Sequence, residues 1–230
     1  MPQLKSEYHD GERRLNGIVE KFEDGPIWTV GYLLYDTDSL DAAAIDVPMW
    51  SADRMYARIS EIGLKVKYII ATHGHWDHIG DMHKLAAITG AKVCGSLADE
   101  WMMRDPNGMM IPPPTPLEAV GLDIPLENGM VVQVGKIGLN VIATPGHSAG
   151  SISLYIKDWK LLFTGDTLFA GSVGRTDLAS GSGEMLSKSI LERILSLPED
   201  VAILPGHGPE STLKREKLTN PFVQMIYAGG

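Results

Sequence analysis

The chain has 230 residues, enough to bury a sizeable core and too few for two large independent units, so one domain spanning 1–230 is expected. Hydrophobic residues make up 44% and charged residues 21%, a balance that excludes a disordered chain. The formal net charge of −9 argues against nucleic acid and anionic membranes as main partners, and Cys94, the single cysteine, excludes an internal disulfide or a thiolate metal cluster within one chain.

The opening stretch from Met1 to Arg14 is polar and carries Lys5, Glu7, Asp10 and Glu12. It lacks the apolar run of a signal peptide, and no stretch approaches the roughly 18 apolar residues that span a bilayer, so a cytoplasmic protein is expected. Residues 27–35 are aromatic and branched and predict a strand, followed by a short apolar run over 42–47 that includes Asp46. Residues 52–62 have helical spacing, with Ser51 as N-cap. The β-branched run 66–71 predicts a buried strand that leads straight into Thr72-His73-Gly74-His75-Trp76-Asp77-His78. A helix is expected from there to about Thr89, stopped by Gly90, and then a strand over 91–94.

Residues 105–116 contain Pro106, Pro112, Pro113, Pro114 and Pro116, too many for a helix or a central strand. They predict an ordered loop or lid. Trp101, Met102, Met103, Met109 and Met110 accompany it, and two roles suit them: anchors that staple the loop to the core, or a Met-lined wall of a substrate pocket. The anchoring role is the plainer of the two. In the second half, 130–134, 139–144, 151–156 and 160–164 predict strands, 183–197 a helix ended by Pro198, and 201–204 a last strand. Two halves of this kind predict a layered α/β structure with chemistry on loops at one sheet edge.

Histidine placement points to that chemistry. Three of the seven histidines lie between His73 and His78, while His147 and His207 each end a Pro-Gly-His and Asp166 ends Thr164-Gly165-Asp166. All fall where predicted strands meet loops. Imidazole and carboxylate suit zinc, iron or manganese. Alternate residues of an extended segment share a side, so His73 and His75 can reach one ion. Asp77 and His78 follow a bend and can reach a second. Histidines packed this closely behind an apolar strand would repel one another when charged and waste burial when neutral, so the metal reading outweighs a packing role. His9 reads as solvated, and His83 as a helix-surface or packing histidine.

The run from Thr72 to His78 resembles the H-x-H-x-D-H signature of the metallo-β-lactamase superfamily. Thr144-Pro145-Gly146-His147, Thr164-Gly165-Asp166-Thr167 and Leu204-Pro205-Gly206-His207-Gly208-Pro209 resemble its later motifs, in order. Within the superfamily, Leu168 to Asp177 and Pro205 to Leu213, then Arg215-Glu216 and Asn220-Pro221-Phe222, are similar to the compact glyoxalase II-like (hydroxyacylglutathione hydrolase-like) group. The resemblance implies a four-layer αβ/βα sandwich and two divalent metal ions, zinc first, with iron or manganese as alternatives. It implies His73, His75 and His147 on one ion, Asp77, His78 and His207 on the other, Asp166 between them, and Asp46 orienting the ligand loop. Arg175 matches a substrate-contacting basic position, or is simply salt-bridged to Asp177. Val47-Pro48-Met49 departs from the family's usual Pro-Gly-Gly turn, and Trp76 places a large ring beside the metals. The chain ends soon after His207, so the glutathione contacts made by the long C-terminal segment of larger glyoxalase II enzymes are not expected.

The implied activity is hydrolysis of S-(2-hydroxyacyl)glutathione or a related small thioester or ester by a metal-bridging hydroxide, because a cation lowers the pKa of water from 15.7 to about 7. Asp77 and Asp166 would then act both as ligands and in catalysis. A lactonase on the same site, a mononuclear-iron persulfide dioxygenase using His73, His147 and Asp166, and a non-catalytic metal-binding module are the competing readings. A homo-oligomer is left open.

Overall fold

A computed structural model describes residues 17–228. The polar stretch Met1 to Arg14, and with it His9, lies outside the described residues. The first half runs β1 (Gly17–Asp24), β2 (Thr29–Asp36), β3 (Asp41–Ile45), α1 (Ala52–Ile62), β4 (Lys65–Ile70), α2 (Trp76–Ile79), α3 (Met82–Thr89), β5 (Lys92–Gly95), α4 (Glu100–Arg104) and β6 (Ile124–Pro125). The second half runs β7 (Val131–Val134), β8 (Ile137–Ala143), β9 (Ile152–Ile156), β10 (Leu161–Gly165), β11 (Leu168–Phe169), β12 (Ser172–Val173), α5 (Gly183–Ser189), β13 (Ala202–Pro205), β14 (Ser211–Thr212), α6 (Leu213–Thr219) and α7 (Pro221–Ala228).

Each half builds one six-stranded sheet, in the orders β1-β2-β3-β4-β5-β6 and β14-β13-β10-β9-β8-β7. Strands β3 to β6 are mutually parallel, with β1 and β2 as an antiparallel hairpin at the side. Period-two alternation sends Leu34, Ile45 and Ile70 inward to meet Leu139, Leu154 and Phe163 of the second sheet. Leu33, Ala44 and Ile69 point outward, against Met55 of α1, Leu85 of α3 and Met102 of α4. On the far side Leu162 and Ile203 pack against Leu186, Leu213 and Val223 of α5, α6 and α7. The result is the expected αβ/βα sandwich, with every residue of β2 buried because that strand is covered on both faces.

Three local expectations change. Ser51 precedes α1 but does not cap it: its hydroxyl donates to Pro48 O at 2.7 Å, and Asp81 Oδ2 accepts the Ala52 N–H at 3.0 Å instead. The helix expected after the histidine run is two helices, α2 and α3, broken at Gly80-Asp81. Gly80 sits so close to Met49 that a Cβ there would overlap it, and Asp81 is turned towards α1. Helix α5 passes into a wider π-type turn over residues 190–194 before Pro198. Strand β1, not expected from the sequence, pairs along its whole length with β2. Gly90 closes α3 in the left-handed conformation at φ 69°, as expected. Among the described residues no helix is long and apolar enough to cross a membrane.

Candidate metal centre

Parallel strands end on the same side, and this sets the site. The C-terminal ends of β3 and β4 carry Asp46 and the 72–78 loop, while those of β8, β10 and β13 carry His147, Asp166 and His207. All seven predicted donors converge at this one edge, along with Asp46. Gly206 is needed for the approach: a Cβ there would overlap both Asp166 Oδ1 and His78 Cε1.

The donors form three overlapping triads that could each hold a cation: His73, His75 and His147; His73, His78 and Asp166; and Asp77, His78 and His207. Ring nitrogens face one another, with His75 Nδ1 2.8 Å from His147 Nε2 and His147 Nε2 3.2 Å from His73 Nε2. Asp166 stands in the middle. Its Oδ1 is 3.3 Å from His78 Nε2, and its Oδ2 is 3.5 Å from both His147 Nε2 and His207 Nε2. His78 Nε2 and Asp166 Oδ1 are fully buried polar atoms that make no hydrogen bond. Such orphans are costly in a protein interior, and a cation between them supplies the missing partner.

The outward nitrogens are anchored. Asp46, held at φ 53°, lies 2.8 Å by Oδ2 from His78 Nδ1 and accepts the backbone N–H and hydroxyl of Thr72, each at 2.7 Å. His147 Nδ1 lies 2.7 Å from Arg175 O. A fixed outer nitrogen sets both the ring plane and the tautomer, leaving the other nitrogen free to ligate. Burial, then the surrounding imidazoles, hold His73 well below the ordinary histidine range and His75 down to about 4. Burial opposes ionisation of Asp77 and Asp166, but neighbouring His78 and His207 outweigh it and keep both carboxyls below their ordinary value. For His73 and His75, a neutral imidazole near ionised carboxylates is the protonation state a cation requires. His78 is raised, against its burial, by Asp77, Asp166 and Asp46; positive charge belongs at this point, and a divalent ion provides it. The donor set fits divalent metal.

Two contributors were not expected from the sequence. Buried Asp99, just before α4, accepts the Gly74 N–H at 3.0 Å, the Ser148 hydroxyl at 2.6 Å and the Gly150 N–H at 2.7 Å, and so ties the His73–His75 loop to the His147 loop. Thr29 donates its hydroxyl to Asp77 Oδ2 at 2.7 Å. Neither belongs to a recurring pattern. Thr29 reads as an ordinary strand residue and Asp99 as one acid among many. His83 is exposed on α3, as expected of a helix-surface histidine.

A cavity of about 490 Å³ opens over the donors. Trp76, Trp101, Met102, Met109, Met110 and Phe169 are among its walls. The anchoring role is seen in Met102, Met103 and Met109, which are buried in the core, while Met110 and Trp101 stay exposed along the cavity. Asn107 pins the proline-rich stretch in place, exchanging hydrogen bonds with the Leu117 backbone at 2.9 Å in both directions. Arg175 lines the cavity, and its guanidinium is held by Asp177 through two bonds of 2.7 Å.

A two-sheet sandwich with a His/Asp cluster at the shared strand ends defines a metallo-hydrolase class: residues 38–207 match the metallo-beta-lactamase superfamily, and the chain belongs to it. The chain is 35% identical over 201 residues to the probable metallo-hydrolase YqgX of Bacillus subtilis, covering 86% of this chain and 94% of the relative. It is 32% identical over 202 residues to the hydroxyacylglutathione hydrolase GloC of Haemophilus influenzae (83% and 91% covered). It is also 32% identical over 201 residues to the human mitochondrial persulfide dioxygenase ETHE1 (86% and 72% covered). Among solved structures, the BLEG-1 B3 metallo-beta-lactamase superposes with a TM-score of 0.82 at 32% identity, covering 90% of this chain and 99% of that one. TTHA1623 in a di-iron-bound form gives 0.74 at 33% identity, with 88% and 99% covered.

Proposed function

We propose that the chain is a binuclear metallohydrolase of the hydroxyacylglutathione hydrolase type, cleaving a thioester or related ester. The observation that carries this is the central position of Asp166, whose two oxygens face donors of both outer triads. On this reading His73, His75 and His147 hold one ion, Asp77, His78 and His207 the other, and Asp166 bridges. Zinc is the first expectation, with iron or manganese close behind, since this donor set accepts all three. When bound, the ions supply a water acidified towards neutrality and a Lewis acid for the substrate carbonyl.

The protein's own part is positioning. Asp46 and the Arg175 carbonyl fix His78 and His147, Thr29 holds Asp77 Oδ2, and Asp77 and Asp166 face the cavity, where they orient an attacking water by accepting its hydrogen bonds. A thiolate leaving group needs little protonation, so no strong general acid is required.

The likeness to ETHE1 favours a second reading, a mononuclear-iron dioxygenase. The Asp77, His78 and His207 triad, clustered as tightly as the others, supports two ions over one. Metal analysis of protein purified without added metal, combined with turnover of S-lactoylglutathione, a lactone panel and a chromogenic cephalosporin, tests the proposal. Two ions per chain with thioester or ester cleavage are expected. One iron per chain with oxygen consumed in the presence of glutathione persulfide overturns it in favour of the dioxygenase.

A further inference from the structure

The wall above the donors is far less polar than the floor. Trp76, Trp101, Met109, Met110, Ile111 and Phe169 line it, drawn from four separate stretches of chain. Trp101, Met110 and Ile111 are 47%, 66% and 45% exposed, so core packing does not account for them. Large apolar side chains left open to water and converging on one cavity mark a ligand surface. The cavity's cationic complement points the same way. Among the described residues Arg175 is the only lysine or arginine lining it, and its Nε and Nη2 already donate to Asp177. A glutathione carrier brings two carboxylates and an ammonium group, and a buried or half-buried charge needs a charged partner.

We infer that the substrate carries an extended apolar acyl chain, seated against the Trp101–Met110–Ile111 wall, and that the part of the thiol or alcohol moiety within the cavity bears no charged substituent. The inference rests on the hydrolase reading above and narrows its substrate class to medium-chain acyl thioesters or esters. Methionine suits this wall because its unbranched, polarisable side chain adapts to chains of different length. The reaction itself is ordinary hydrolysis: water adds its oxygen to the acyl carbon, the C–S or C–O bond breaks, and the proton leaves with the thiol or alcohol or passes to solvent.

The test compares S-acetyl-, S-butyryl- and S-octanoyl-N-acetylcysteamine with S-lactoylglutathione, using the metal-loaded wild-type protein. A fully buried methylene is worth about fourfold. Six further methylenes in a pocket open on one side are therefore expected to raise kcat/KM about a hundredfold from acetyl to octanoyl, above the value for S-lactoylglutathione. Met110→Glu and Trp101→Glu, at exposed positions that tolerate a charge, are expected to cut the octanoyl-to-acetyl ratio at least about tenfold. A flat chain-length profile, or preference for S-lactoylglutathione, overturns the inference while leaving the hydrolase reading intact. If these thioesters and the lactone panel are all left intact, the hydrolase reading fails, and isothermal titration with octanamide decides the pocket separately. Saturable heat that is lost in Met110→Glu supports an apolar ligand site, and no binding overturns it.

Discussion

The floor and the wall of the cavity are built by opposite means. The floor is carried by strand ends of two sheets, its groups are buried apart from the half-buried His207, and its loops are tied by hydrogen bonds with specific partners, such as Asp46 to Thr72 and His78, or Asp99 to Gly74, Ser148 and Gly150. The wall gathers side chains from four stretches, its most exposed part the proline-rich segment after α4, which buried Met109 and the Asn107–Leu117 hydrogen bonds hold in place. A floor so constrained sets the class of reaction, because a small displacement of a donor is not tolerated. A wall of apolar side chains that touch none of the donors by hydrogen bond is free to set what the reaction acts on.

The strongest way to break this contrast is to remove the centre of the floor. Asp166→Ala is expected to lower ion content from two per chain to one or fewer, and kcat/KM by roughly 10³-fold or more, checked by elemental analysis and steady-state kinetics. Next comes the brace beneath it. Asp99→Ala leaves the Gly74 and Gly150 N–H groups and the Ser148 hydroxyl without their acceptor. An expected loss of about 3 kcal/mol is measurable by denaturant unfolding of the metal-loaded protein. Asp46→Asn, a residue that tolerates the left-handed backbone, should keep the fold but weaken metal affinity about 10–100-fold in a chelator competition. At the wall the effects shrink: Arg175→Ala is expected to change kcat/KM for an uncharged acyl thioester by no more than about fivefold, because its guanidinium is an exposed partner of Asp177. Smallest of all, Cys94 lies between the sheets, where burial pushes its thiol up to about 12; a maleimide at pH 8 should leave it unlabelled until the chain is denatured.

The floor was legible in the sequence because its residue types are chemically conspicuous. Histidines clustered behind a β-branched strand have few other uses, and Pro-Gly-His and Thr-Gly-Asp mark where strands stop. The strands themselves were legible from their branched runs, which is why the core of each sheet matches expectation. What stayed hidden depends on tertiary contact. Ser51 was expected to cap α1, but a carboxylate from a distant turn, Asp81, reaches that N–H. The break between α2 and α3 falls at Asp81, which leaves the helical conformation where its carboxylate reaches the Ala52 N–H, a contact no local pattern records. Asp99 and Thr29 matter only through partners far along the chain. The anchoring of the methionine segment was visible in the sequence, and the fold buries Met102, Met103 and Met109 accordingly.

The donors are divided between the sheets: His73, His75, Asp77 and His78 come from the first, and His147, Asp166 and His207 from the second. Ions seated there would act as rivets through a seam that otherwise rests on the pairing of His78 and His207 with Asp77 and Asp166 alone. A chelator should therefore lower the melting temperature as well as abolish turnover, and the midpoint should climb with the logarithm of free metal. Durability of the folded chain then becomes a gauge of how much metal its surroundings hold.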